Sequence, residues 1–389
     1  MMVEKLYESN SYARGFDACV ISCTAWLDSG YAITLDRSCF YPEGGGQPCD
    51  LGVLGGVQVL AVRNKDGEIL HITDAPLTPG EIVHGEIDWA RRFALMQNHS
   101  GEHIVSGIVH SLYGFDNVGF HMGRDNLMTI DFNGELSAEA LAVVERRANA
   151  VVYANLPVET LIPPPDVLAA MTYRSKKALA GTVRIVSIEG VDACACCGTH
   201  VRRTGEIGPI KLLSAERHKG GARVEMLCGG DAQADYARKH ADVLAISQLL
   251  SAKLMETPNA VRMLLETESR LNGELFALRE KILSFLAAQA VVQNGIAYVF
   301  DDVGTPDDAR KLCIMLSARE NVHAAYVFTG TDGVNWRYIV MAPDAPHIAA
   351  RLNALFTGRG GGKAPMAQGQ LSGERDAIVQ AVFAKNMSS

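Results

Sequence analysis

No uncharged apolar run in the 389-residue chain approaches the roughly 18 residues that a membrane-spanning helix needs. The opening residues, MMVEKLYESNSYARGF, are polar from the start and lack the apolar stretch of a secretory signal. Both absences point to the cytoplasm. A disulfide framework is missing too, because nine cysteines are an odd number thinly spread over a long chain. Three of them crowd together as Cys194, Cys196 and Cys197. In a reducing compartment, clustered thiols serve as metal ligands, reactive groups or small buried hydrophobes, whereas an isolated one such as Cys313 reads as core. Positive charge is also scarce, and a net charge of −8 argues against a protein that coats nucleic acid indiscriminately. The deficit is uneven. Between Met171 and Glu225 ten Lys/Arg face five acids, a local surplus of five. A solvated basic face is the plain reading of that stretch and a phosphate-contacting surface the sharper one.

What the chain does have is the balance of a soluble globular protein, 48% apolar and 21% charged, at a length suited to two to four domains. Residues 1–88 read as short strands (Ala18–Thr24, Tyr31–Leu35, Val57–Arg63, Ile82–Ile87) between Gly and Asp turns, a small all-β unit. Within it, Phe40–Pro48 carries three successive glycines, which allow close backbone approach and positive φ, though a simple loop would look the same. From Trp89 to Tyr113 the period turns helical, with Met96, His99, His103 and His110 on one face and Gly114 as a stop. A second helix is expected over Ser137–Asn155, capped by Ser137, with Leu141, Val144, Ala148 and Val151 inward. Strands at Val183–Ile188 and Ile210–Ser214 complete an α+β region, 89–231. Over 232–290, apolar positions from Val261 through Leu264, Leu271, Leu275, Leu278 and Ile282 to Phe285 step by threes and fours, with Glu268 the one acid in the seam. This helical arm can pair with a second chain, making a homodimer, or fold back on its own. Residues 291–389 alternate strands and helices around Gly358–Lys363. That run is no Walker A loop, for Thr357 and Ala364 stand where Gly and Ser/Thr are required.

Two pairs of metal-type residues stand out. His99 and His103 are four apart, so on a helix both rings leave the same face. Ninety-three residues after His103, Cys196 and His200 repeat the spacing. Imidazole and thiolate donors favour tetrahedral zinc over magnesium or calcium. Cys194 and Cys197 are competing donors. Four protein ligands are the habit of structural zinc, whereas catalytic zinc keeps a position open, and spacing alone leaves that choice undecided.

These motifs carry a resemblance. His99-Ser-Gly-Glu-His103 resembles the H-x-x-x-H box of the alanyl-tRNA synthetase editing domain and of the freestanding AlaX proteins. Cys196-Cys-Gly-Thr-His200 resembles the C-G-G-T-H box of the same family, and Thr204–Gly208 follows it as it does there. Phe40–Gln47 is similar to that module's glycine-rich motif. The tail around Gly360–Gly373 is similar to the DHHA1, or C-terminal tRNA-binding, domain. The sequence departs from the family at Cys197, Ser100 and Glu102. The resemblance runs over nearly the whole chain and fits the long AlaX form. It implies a small β-barrel-like domain (1–88), a zinc-binding α+β editing domain (89–231), the heptad arm (232–290) and an α/β DHHA1-like domain (291–389). The implied activity is hydrolysis of the ester joining a wrong amino acid, serine or glycine, to tRNA-Ala. Zinc would sit on His99, His103, Cys196 and His200. Gln47, Ser100 and Glu102 would meet water or substrate, with a solvated helix acid the alternative for Glu102. Arg202, Arg203, Lys211, Arg217 and Lys219 would hold acceptor-stem phosphates. Two other classes compete: a non-catalytic tRNA- or protein-binding module with structural zinc, and a zinc hydrolase of small metabolites.

Overall fold

The computed structural model describes residues 3–26, 30–123, 127–175, 183–301 and 304–384. By its contacts the chain forms two compact units, Met1–Ala245 and Ile246–Ser389. Both mix helix and strand, and no helix among the described residues is long and apolar enough to cross a membrane.

In the first unit six antiparallel strands close into a barrel, in the order Gly15–Trp26, Gly30–Leu35, Glu68–Thr73, Val57–Lys65, Gly52–Leu54, Ile82–Ile87. Strict alternation makes Ile82–Ile87 legible as a strand, with Val83 and Ile87 inside and Ile82 in solvent. Glu68–Thr73 shows no such alternation. All its residues after Glu68 are buried, Ile69 in the barrel core and Leu70 with Ile72 in a small cluster outside it. A short segment buried on both faces, with His71 and Thr73 interrupting its apolar residues, shows no period of two, which is why it escapes a sequence reading.

The helix Trp89–Tyr113 leaves the barrel directly. Asp88 caps its first turn by accepting from the Arg91 N–H, and Gly114 closes it at φ 68°. Residues 98–109 are buried on every side rather than along one stripe. Glycines make room: a Cβ on Gly101 would stand 2.4 Å from Cys228 Sγ, and one on Gly107 2.4 Å from the Val191 carbonyl. His110 is the exception to the expected face. It is exposed and pairs with Asp116 at 3.0 Å, because the buried run ends at Val109. A four-stranded sheet (Ile210–His218, Gly221–Cys228, Met128–Phe132, Asn117–Met122 in spatial order) and the helix Ala138–Ala154 enclose the core around this helix. Ser137 caps the latter as read, and Asn155, expected as its last residue, instead closes it in the left-handed conformation. Val152 is fully inward, while Leu141 and Val151 pack at the margin.

In the second unit a six-stranded sheet (Val291–Gln293, Ile296–Asp301, Ala324–Thr331, Asn335–Met341, Met366–Leu371, Arg359–Lys363) carries separate cores on its two faces. The helix Thr257–Gln289 joins one core through Leu283 and Ala287. Its heptad seam, from Val261 to Phe285, is exposed throughout, so the seam does not fold back within this unit. The glycine run becomes the exposed edge strand Arg359–Lys363, a role its lack of side chains hides from any periodicity argument.

Candidate metal centre

Three chain segments meet beside the buried helix. The first is the glycine-rich turn. Gly45 and Gly46 take φ of 62° and 86°, and a Cβ on Gly46 would stand 2.5 Å from the Phe120 carbonyl. This close approach delivers Gln47, 1% exposed, to the helix. The second is the helix itself, which presents His99 and His103 one turn apart. The third is the loop after strand Asp192–Ala195, which carries Cys196 and His200. Arg184 pins that loop, donating to the Cys196 and Gly198 carbonyls at 2.8 Å each.

The donor atoms of His99, His103, Cys196 and His200 lie within 4.8 Å of one another. Cys196 Sγ stands 3.3 Å from His99 Nε2 and 3.4 Å from His200 Nε2. His103 Nε2 is buried with no hydrogen-bond partner. An orphaned ring nitrogen facing a thiol and two more imidazoles is what a cation site looks like from the protein side.

The opposite nitrogens are all held. His99 Nδ1 lies 2.8 Å from Gln47 Oε1, and the Gln47 amide donates to Thr199 Oγ1 at 2.9 Å. His103 Nδ1 lies 2.8 Å from Asp192 Oδ2, and Arg174 grips that carboxylate with two hydrogen bonds, at 2.8 and 2.9 Å. His200 Nδ1 lies 3.4 Å from Ser100 Oγ, which accepts from the Val201 N–H. Phe120 stacks on His99. Such outer partners fix ring orientation and tautomer, turning each Nε2 toward one point.

Burial holds His200 neutral by pushing its pKa down to about 3. Burial works to lower His103 too, but Asp192 overrides it and raises that ring. For Cys196 burial acts upward, yet the His99 and His200 rings hold the thiol well below its ordinary range. A thiolate among imidazoles with their Nε2 atoms turned inward is a zinc-type N₃S set, so the residues fit the metal. Cys197 is exposed and outside this set. Cys194 is buried and groups with His103 and Asp192 on the far side of the ring.

The other singled-out residues fall as follows. Glu102 is no solvated acid: it is 2% exposed, its Oε2 3.9 Å from His103 Nε2. Among the basic residues, Arg202 stacks on Tyr12 at 4.2 Å and Arg203 donates to the Asn155 carbonyl. Lys211 and Arg217 each pair with an acid, Glu145 and Glu135, at 2.9 Å. Lys219 sits in the tight turn after His218, at φ 47°. All five are exposed. Lys176 and Lys177, also counted in the basic stretch, lie outside the described residues. Asp192, Asn117 and Phe120 carried no sequence signal, since none sits at a ligand spacing; Thr199 lies inside the Cys–His box, but the box by itself assigns it no role.

Gly198 explains why the Cys–His loop needs a residue without a side chain. A Cβ there would stand 2.1 Å from His99 Cε1 and 2.3 Å from Nδ1. Gly198→Ala should therefore swing His99 off Gln47 and weaken metal binding by roughly the 10–100-fold typical of a lost outer partner. Competition with a chelating dye measures this, and unchanged affinity would show that the ring has room to move.

Residues 183–225 match the family described as "Threonyl and Alanyl tRNA synthetase second additional domain". The chain is 32% identical to the alanyl-tRNA editing protein AlaX-L of Pyrococcus horikoshii, over 76% of this chain and 75% of that one. It is 28% identical to the alanyl-tRNA editing protein Aarsd1 of Danio rerio, over 93% and 92%. Against the alanine–tRNA ligase of Methanothrix thermoacetophila it is 31% identical over 94% of its own length but only 42% of the ligase. Its boxes and its relatives agree: the chain belongs to the alanyl-tRNA editing proteins.

Proposed function

We propose that this protein is a freestanding deacylase that hydrolyses the ester joining serine, or glycine, to the terminal adenosine of mischarged tRNA-Ala, using a zinc ion held by His99, His103, Cys196 and His200. The observation that carries the reading is the convergence of three imidazole nitrogens on a thiol, each ring braced from behind. When bound, zinc supplies a Lewis acid for the ester carbonyl and lowers the pKa of water toward ~7. The chain does the rest. Gln47 and Ser100 are positioning residues that orient His99 and His200, and Asp192 does the same for His103. Glu102 is the buried acid on the substrate side. Arg202, Arg203, Lys211, Arg217 and Lys219 hold acceptor-stem phosphates, with Lys211 and Arg217 exchanging their present acids for RNA. The four-part division at 88, 231 and 290 is retained, with the tail as a DHHA1-like tRNA-binding domain, and the exposed heptad seam forms a homodimer in the cytoplasm.

One observation favours a second reading. Four protein donors close a tetrahedral ion, the pattern of structural zinc, which would make the protein a tRNA-binding module without chemistry. A deacylation assay on Ser-, Gly- and Ala-charged tRNA-Ala, with metal measured on the same sample, separates the two. Release of serine or glycine, sparing alanine, is expected from the zinc-loaded protein. Binding of charged tRNA without deacylation would overturn the enzyme.

A further inference from the structure

We propose that four side chains near the donor cluster, Arg14, Trp89, Tyr12 and Arg202, form a stacking track for the unpaired 3′ end of the tRNA. The inference rests on the reading of an aminoacylated tRNA end as substrate and adds the surface along which that end lies. Tyr12 and Arg14 precede the first barrel strand, Trp89 opens the buried helix, and Arg202 follows His200 by two residues. The two rings meet with centroids 5.5 Å apart, and each carries a guanidinium, Arg202 over Tyr12 and Arg14 over Trp89, both at 4.2 Å. Hydrogen bonds fix the arrangement. The Tyr12 hydroxyl accepts from the Arg202 N–H at 3.0 Å and donates to Glu206 Oε2 at 2.7 Å, while Arg202 Nη2 reaches Asn10 Oδ1 at 3.4 Å. Phe93 extends the aromatic set, its ring 5.6 Å from that of Trp89.

Two observations separate this set from a structural clasp. The first is charge. Lys211, Arg217 and Arg223 each sit on a carboxylate, yet neither Arg14 nor Arg202 forms an ion pair among the described residues, and both are exposed. A guanidinium held flat against a ring and left without an acid keeps its outer face for a planar partner and its N–H edge for an anion. A polynucleotide offers both in alternation, as bases and phosphates, whereas an acidic peptide offers only the anion. The second is place. The ester stands at the very end of the RNA strand, so the nucleotides before it must leave the donor cluster over neighbouring surface. Arg202 and His200 are two residues apart, which holds their Cα atoms within ~7 Å, and the Val201 N–H between them donates to Ser100 Oγ. The track begins there and ends at Arg14, next to Gly15 where the first barrel strand starts. Stacking of this kind accepts any base, so it orders a strand without reading it.

The test measures binding of uncharged tRNA-Ala, intact and with its unpaired 3′ nucleotides removed, to native protein, Arg14→Ala and Arg14→Lys by fluorescence anisotropy at fixed salt. Native protein should lose about tenfold or more in affinity when the tail is removed. Arg14→Ala should lose about tenfold on the intact tRNA and almost nothing on the trimmed one, with its melting temperature and zinc content unchanged. Arg14→Lys, which keeps the charge but not the plane, should resemble Arg14→Ala. Equal loss on both RNAs, or a lowered melting temperature in place of a tail-dependent loss, would make the set a clasp and overturn the track. Full binding by the lysine variant would overturn the stacking role. The native comparison stands without any variant: indifference to the tail overturns the proposal. Because no hydrolysis is read, a protein that grips the tail but never deacylates refutes the deacylase and keeps the track, and one that deacylates while failing these comparisons does the reverse.

Discussion

His103→Ala is expected to abolish release of serine from mischarged tRNA-Ala and to strip the protein of zinc in the same sample. Loss of a residue that merely braces a ligand brings ~10–100-fold, and His103 is proposed as a ligand itself, so the loss should exceed that range. The reason lies in its surroundings as much as in its nitrogen. Its Nε2 is orphaned and its Nδ1 is held by Asp192, which Arg174 holds in turn. Alanine would leave the carboxylate with the arginine alone and the cluster with two imidazoles and a thiol. Asp192→Asn should fall between native protein and His103→Ala, since the brace weakens while the ligand stays. Metal analysis beside a deacylation assay checks both. Full activity in verified zinc-free protein would end the metal reading.

Arg92→Met carries the largest expected effect on stability. Arg92 and Asp50 are wholly buried and bonded to each other, and the guanidinium also donates to the Cys39 and Ser11 carbonyls at 2.7 and 2.9 Å. Asp50 accepts from the Tyr41 N–H at 2.6 Å. Removing one partner strands a charge inside, which costs about 3–5 kcal/mol. In a unit of this size that corresponds to a melting point lower by roughly 6–20 °C. The double variant Arg92→Met with Asp50→Asn should recover part of the loss, because neither charge then remains unmatched. A drop in stability below about 1 kcal/mol would mean that the pair is dispensable. The pair bonds the chain beside the barrel to the first turns of the helix that carries His99 and His103, so its loss should blur the site before the unit melts.

The cluster of four donor side chains was legible because it obeys local rules: two residues four apart on a helix, and a Cys–His box of fixed spacing. The braces were not, because each is a long-range meeting. Gln47 and Thr199 are 152 positions apart, and His103 and Asp192 are 89 apart. No window of sequence distinguishes Asp192 from any other acid. Charge counting along the chain misses such long-range partners too. Arg223 in the basic stretch is neutralised by Asp131, and Lys211 and Arg217 by Glu145 and Glu135, none of which lies in the window that was counted. Helix limits were clear where a capping residue stood, as at Ser137 and Gly114. Strands were missed where both faces were buried, as at Glu68–Thr73, or where glycine erased the pattern, as at Arg359–Lys363.

The brace on His99 comes from the glycine-rich turn of the N-terminal strands, while the ring it steadies belongs to the helix. The barrel is therefore part of the machine rather than an appendage. A shortened protein beginning at the helix would keep all four donors yet leave one imidazole free to spin, and it would lose the seat of Arg92 as well. Any relative that dispenses with the barrel must find a substitute for a single glutamine.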